Sequence, residues 1–194
     1  MPAWRLFEAG TVPECATAEW YADREAAPHL EQPGGHRERL LLTHRHVAAL
    51  VAEHDLSSVV DLGCGDGGLL SLLEGVDAWG YDLCPANVEA ASRRGVKVEL
   101  LDLMADEPRW AELAVATELL EHLIDPHAFL RRVREHCRFL VCSSPADETP
   151  EHHPDYHLWA FDTAGYQELL VGAGWRPLRH QLVGRFQVVS AVAA

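Results

Sequence analysis

Apolar and polar positions along this chain follow two periods. Between His36 and His54 the apolar residues Leu40, Val47, Leu50 and Val51 recur at intervals of three and four, the spacing of one helical face. SSVVDL (57–62) is instead a short continuous run, which reads as a buried strand. The two patterns then alternate. GLLSLLEG (68–75) predicts a short helix, AWGYDL (78–83) a second strand, and PANVEAASRRG (85–95) a helix with Pro85 in its first turn. VKVELLDL (96–103) and ELAVAT (112–117) predict a third and a fourth strand, followed by a helical turn over ELLEHL (118–123). DPHAFLRRVREHC (125–137) predicts a helix and RFLVCSSP (138–145) a fifth strand. A polar loop rich in His and Pro (146–157) precedes a helix, TAGYQELLVGAGW, that ends at Gly174. The chain closes with RPLRHQLVG and RFQVVSAVAA, two strands joined by a short turn at Gly184.

Strands alternating with helices build a parallel sheet with right-handed crossovers. The last two strands are too closely joined for a parallel crossover and must run antiparallel to each other. The expectation is therefore an α/β domain over residues 36–194, with a doubly wound seven-stranded sheet, mostly parallel, and helices on both faces. Residues 1–35 read as irregular. They carry Trp4, Phe7, Trp20 and Tyr21 among acids, end in the turn-forming EQPGG, and are expected either to pack on the domain or to form a lid over a substrate.

The turn after the first strand, VVDLGCGDGG (59–68), carries the candidate chemistry. In an open α/β sheet, ligands bind at the carboxyl ends of the strands. Gly63, Gly65 and Gly68 spell G-x-G-x-x-G, the dinucleotide fingerprint, but with its acid the run is D-x-G-x-G-x-G. A carboxylate at Asp61 would repel a pyrophosphate, whereas it welcomes the sulfonium and ammonium of S-adenosylmethionine. Asp82, at the end of the second strand and 21 residues after Asp61, suits a carboxylate that accepts hydrogen bonds from ribose hydroxyls.

VVDLGCGDGG, then GYDLCP, LLDLMAD and ATELLEHLIDP, resemble the class I S-adenosylmethionine-dependent methyltransferases in order and spacing, from about residue 36 to the C-terminus. The resemblance implies a Rossmann-like fold with S-adenosylmethionine as cofactor. It implies Asp61, Gly63, Cys64 and Gly65 around the methionine part, Asp82 on the ribose and Leu83 beside the adenine. Asp102 and Leu103 would meet the adenine and its amine, and Thr117 and Glu118 would line the cofactor floor.

Glu118, Glu121 and His122 are spaced i, i+3, i+4, which on a helix places them on one face. Together with His157, four residues before Phe161, this E-x-x-E-H…H pattern is similar to that of the small-RNA 2′-O-methyltransferases and certain quinone-biosynthesis O-methyltransferases. That resemblance implies a divalent metal (Mg, Mn, Fe, Co or Zn) on Glu118, Glu121, His122 and His157, acting as a Lewis acid. The alternative is that His157 and His122 are catalytic bases, since an imidazole that titrates near neutrality suits proton removal from a hydroxyl. Of the other loop histidines, His152 and His153 read as solvated.

Composition narrows the partners. The formal net charge of −14 opposes phosphate backbones, so nucleic acid is disfavoured and a small-molecule acceptor is expected. No apolar run approaches a membrane span, and MPAWRLFEAG does not read as a secretory signal. The five cysteines are scattered with no C-x-x-C pair, which fits a reduced, cytoplasmic setting. The leading reading is methyl transfer to oxygen or nitrogen of a small molecule. Metal-dependent 2′-O-methylation of RNA 3′ ends, a non-catalytic S-adenosylmethionine-binding module and an NAD-dependent oxidoreductase stand as alternatives, and the sequence leaves acceptor and oligomeric state open.

Overall fold

The computed structural model describes residues 3–194. Its elements in chain order are β1 (Ala3–Arg5), α1 (Ala18–Ala22), α2 (His36–His54), β2 (Ser58–Leu62), β3 (Asp77–Asp82), α3 (Pro85–Arg93), β4 (Val98–Leu100), β5 (Leu113–Thr117), α4 (Pro126–His136), β6 (Phe139–Pro145), β7 (Trp159–Phe161), α5 (Thr163–Gly172), β8 (Trp175–Val183) and β9 (Phe186–Ala193). The main sheet has seven strands in the order β4-β3-β2-β5-β6-β9-β8. Its first five strands are parallel, and β9 runs antiparallel to both β6 and β8. This is the expected doubly wound, Rossmann-like arrangement.

Period-two alternation on the central strands divides the core. Val59, Leu113, Val115 and Val141 face one side, where α2 supplies Leu40, Val47 and Leu50. Val60, Leu62, Ala114, Ala116 and Cys142 face the other, against Phe129, Leu130 and Val133 of α4 and Tyr166, Leu169 and Leu170 of α5. The strands are buried on both faces, as a parallel sheet covered by helices requires.

Three local expectations are corrected. GLLSLLEG contains only a 3-10 turn, Leu70–Leu72. ELLEHL is also not a regular helical turn: Glu118 has φ 51°, in the left-handed region, and a 3-10 turn follows at Leu120–His122. The break at Glu118 removes the helical face that its spacing to Glu121 implied. VKVELLDL keeps strand pairing only at Val98–Leu100. The segment before α2 is also more ordered than an irregular run. β1 pairs antiparallel with β7 in a separate two-stranded sheet, with Trp4 opposite Ala160. α1 follows, with the Thr17 side chain accepting from the Trp20 N–H at its N-cap.

Candidate active site

The carboxyl ends of β2, β3, β5 and β6 open into a cavity of about 510 Å³. Asp61, Gly63, Cys64, Gly65, Asp82, Leu83, Asp102, Leu103, Thr117, Glu118, His122 and His157 all line it; of the candidate cofactor, catalytic and metal residues, Glu121 is not in the lining. Ala16, Tyr21, Ala27, His29 and Gln32 line it from the N-terminal segment. The size lies within the ~300–1,000 Å³ range usual for small-molecule sites.

The glycine turn leaves room for a ligand by omitting side chains. Gly65 has φ +55°, and a Cβ there would stand 3.3 Å from the His29 imidazole of the N-terminal segment. Asp61, at the end of β2, is 1% exposed and its Oδ1 has no hydrogen-bond partner. Burial, with Asp82 nearby, raises its carboxyl to about 7, and Arg39 only partly offsets this. A buried acid so placed is a seat for a positive group.

Asp82 is already engaged. Its Oδ2 accepts from the Gly65 N–H at 2.7 Å, and its Oδ1 accepts from the Cys84 N–H at 2.9 Å and from the Asn87 amide at 3.1 Å. A carboxylate has about four acceptor sites, so little capacity remains for ribose hydroxyls beyond these three bonds. Asp82 therefore holds the glycine turn as well as facing the cavity. At the end of β4, Asp102 caps its own turn through Met104 N–H at 2.8 Å, with Leu103 buried beneath.

Arg39 was not legible as a site residue in the sequence. It projects from the first turns of α2, is 1% exposed and lines the cavity. Its Nη1 donates to Ser143 Oγ at 3.3 Å, its Nε lies 3.9 Å from Glu118 Oε1 and has no hydrogen-bond partner, and its guanidinium stands over the Phe186 ring. Glu118, turned by its left-handed backbone, accepts from Ser143 Oγ at 3.0 Å. It thus joins Arg39 rather than the histidines.

Glu121, His122 and His157 do converge, with one ligand atom from each lying within 4.8 Å of the others. His122 and His157 meet edge to face at 4.8 Å between centroids. Burial, with His157 beside it, lowers the His122 imidazole to about 3, so its ring is uncharged at neutral pH. Glu121 is 0% exposed with both carboxylate oxygens unpartnered, and burial, then Glu118, pushes its carboxyl well up. His152 is exposed, and the His153 Nδ1 lies 2.9 Å from the carbonyl of Pro154.

Residues 27–182 match the model of a methyltransferase domain. The chain belongs to that methyltransferase family. Its solved structural neighbours agree on the fold. The DhpI–SAH complex superposes with a TM-score of 0.69 at 18% identity, covering 92% of this chain and 96% of that one. Magnesium protoporphyrin IX methyltransferase from Synechocystis PCC 6803 with bound SAH gives 0.68 at 18% identity, covering 90% and 91%. An O-methyltransferase family protein from Burkholderia thailandensis gives 0.63 at 13% identity, covering 81% of this chain and 56% of that one. No curated protein matches. The family match and the shared fold make this a methyltransferase domain of Rossmann-like α/β architecture, and no helix among the described residues is long and apolar enough to cross a membrane.

Proposed function

We propose that the protein transfers a methyl group from S-adenosylmethionine to a hydroxyl oxygen of a small-molecule acceptor. The observation that carries this reading is one cavity lined both by the turn and acids that suit the cofactor and by the two imidazoles of His122 and His157. The cofactor, when bound, supplies the activated methyl on a sulfonium. The chain's residues do the rest. Asp61 would receive the ammonium, Asp82, which holds the turn through three of its acceptor sites, would offer the remaining one to a ribose hydroxyl, and Leu83, Asp102 and Leu103 would border the adenine. Buried Arg39, with its unpartnered Nε, meets the carboxylate of the methionine part.

An amine acceptor in its neutral form needs no base, but a hydroxyl must lose its proton as it attacks. His157, with His122 beside it, is placed to take that proton, and holding the acceptor behind the methyl supplies most of the rate. Residues 16–32 roof the cavity, and we read them as the acceptor's lid. Arg24 stacks on Trp20 at 3.6 Å and reaches Tyr156 at 5.2 Å, which ties this roof to the loop that bears His157. The formal net charge of −14 keeps nucleic acid disfavoured as acceptor.

The unpartnered Glu121 carboxylate favours a second reading, a divalent cation on Glu121, His122 and His157. Two imidazoles and one carboxylate suit Mn, Fe, Co or Zn better than Mg. Such an ion would lower the pKa of the acceptor hydroxyl in place of a free base. Glu118, bound to Ser143 and facing Arg39, is not in that set.

Calorimetric titration of chelator-treated protein with S-adenosylhomocysteine, with and without Mn²⁺, tests both readings. Micromolar binding without metal is expected. Absence of binding in either condition overturns the methyltransferase reading. A separate metal heat, lost in Glu121→Ala, replaces the free-base reading with the metal-assisted one. Labelled-methyl assays on matched phenols and anilines decide the acceptor atom, and transfer to the amines alone would refute oxygen.

A further inference from the structure

The loop between β6 and β7 buries a charge that the chemistry above does not use. Glu148 is 2% exposed, although its neighbours Asp147 and Pro150 are exposed. A carboxylate is withdrawn from water only when other groups meet it. Two do. Its Oε2 lies 2.7 Å from His157 Nδ1, and its Oε1 accepts from Arg185 Nη2 at 3.3 Å.

The backbone is built to hold this pair together. Thr149 and His152 exchange hydrogen bonds in both directions, at 3.1 and 3.0 Å, folding the loop back on itself. The His157 N–H donates to the Pro154 carbonyl at 3.0 Å, and the next N–H, of Leu158, donates to the Glu121 carbonyl at 2.7 Å. Arg185, at the turn between β8 and β9, is anchored a second time by Asp147 at 3.2 Å. Glu148 and His157, nine residues apart in sequence, are thereby fixed side by side, with His157 itself 8% exposed.

An ionised carboxylate only accepts hydrogen bonds, so an uncharged imidazole facing it must carry its proton on Nδ1. The other ring nitrogen is then bare. Among the described residues, His157 Nε2 has no hydrogen-bond partner, and His157 lines the cavity. We infer that Glu148, clamped by Arg185, is a positioning residue that fixes His157 as the Nδ1–H tautomer and presents its bare Nε2 to the acceptor. The inference rests on the cavity being the acceptor site. It holds whether Nε2 takes a proton or binds a metal, since either role needs that nitrogen free.

The test is ¹⁵N-detected imidazole NMR of the full chain at pH 8, with the His157 signals assigned by their loss in His157→Gln. The wild-type protein is expected to show protonated Nδ1 and bare Nε2 at His157. In Glu148→Ala the Nε2–H tautomer is expected to appear in substantial population, with Glu148→Asp restoring the original signature. A His157 ring protonated on Nε2 in the wild type, or a tautomer unmoved by Glu148→Ala, overturns the inference. The wild-type spectrum decides even if Glu148→Ala does not fold. S-adenosylhomocysteine affinity of the wild-type protein is read on the same samples. Loss of that affinity in the wild type would sink the methyltransferase reading without touching the tautomer result.

Discussion

Asp61 is where the electrostatics of the site are most exposed to measurement. Its carboxyl stands at about 7 against an ordinary 3.8, with burial the first cause and Asp82 the second. That rise corresponds to ~4 kcal/mol at most. For an acid whose pKa is raised by folding, the folded state binds more protons, so stability is full below the unfolded pKa and falls as pH rises toward the folded one. The ligand-free protein should therefore lose stability between about pH 4 and 7, and Asp61→Asn should flatten that loss. Ligand binding reverses the preference, because an ammonium against Asp61 favours the ionised form. With the free carboxyl at about 7, binding S-adenosylhomocysteine should expel about 0.9 proton at pH 6 and about 0.1 at pH 8. The apparent affinity should be roughly tenfold weaker at pH 6 than at pH 8 for the same reason. Calorimetry in buffers of different ionisation heat counts these protons, and denaturant titration at pH 5 and pH 8 reads the stability. In Asp61→Asn the proton release should vanish and the affinity should fall. Equal proton release in wild type and variant would refute the placement of the ammonium on Asp61.

Three further outcomes follow from the same geometry. Asp82→Ala removes a charged acceptor from the Gly65 N–H, the Cys84 N–H and Asn87. S-adenosylhomocysteine affinity should drop by at least ~1.5–3 kcal/mol, and an unchanged calorimetric Kd would remove Asp82 from the cofactor site. Arg39→Leu leaves Glu118 and Asp61 without their buried cation, so unfolding in denaturant at pH 8 should show a loss of ~3–5 kcal/mol. Because both carboxyls protonate in acid, that loss should shrink at pH 5; a constant difference would mean that Arg39 acts by packing. Trp20→Ala removes the ring under Arg24, an interaction worth ~0.5–2 kcal/mol. If residues 16–32 gate the cavity, stopped-flow release of S-adenosylhomocysteine should speed by roughly 2–30-fold, and an unaltered rate would make the segment a static wall.

How far the sequence carried depends on how long each pattern is. α2 was legible to both ends, because the spaced apolar residues Leu40 to Val51 lie between Gly35 and Asp55, both in left-handed conformation. The central strands were legible as apolar runs, and their order of alternation with helices dictated the parallel sheet. β1 and β7 were not, since three residues cannot display a period. The E-x-x-E-H run misled for a different reason. Spacing assumes uniform backbone geometry, and a single left-handed residue, Glu118, sends its side chain to Ser143 and Arg39 while Glu121 and His122 stay with His157.

The residues that sequence reasoning passed over share one property: their role comes from a partner far along the chain. Arg39 sits in a helix whose other charged residues are mostly solvated, and nothing local marks it as buried. Its partners Ser143 and Phe186 lie far along the chain, on β6 and at the start of β9, where β9 returns antiparallel beside β6. Glu148 lies in a polar loop where nothing local sets one acid apart from the others, and the chain turns back there at Thr149 and His152 with this one buried. A usable signal did exist. The loop places an acid and an imidazole nine residues apart between a strand and an aromatic stretch, beside a cavity that the glycine turn had already located. A buried imidazole that must act on a ligand needs one ring nitrogen occupied and one left bare. Searching for the acid that would occupy it, once His157 had been chosen, leads to this loop, which makes the orientation of a candidate histidine a more discriminating question than its identity.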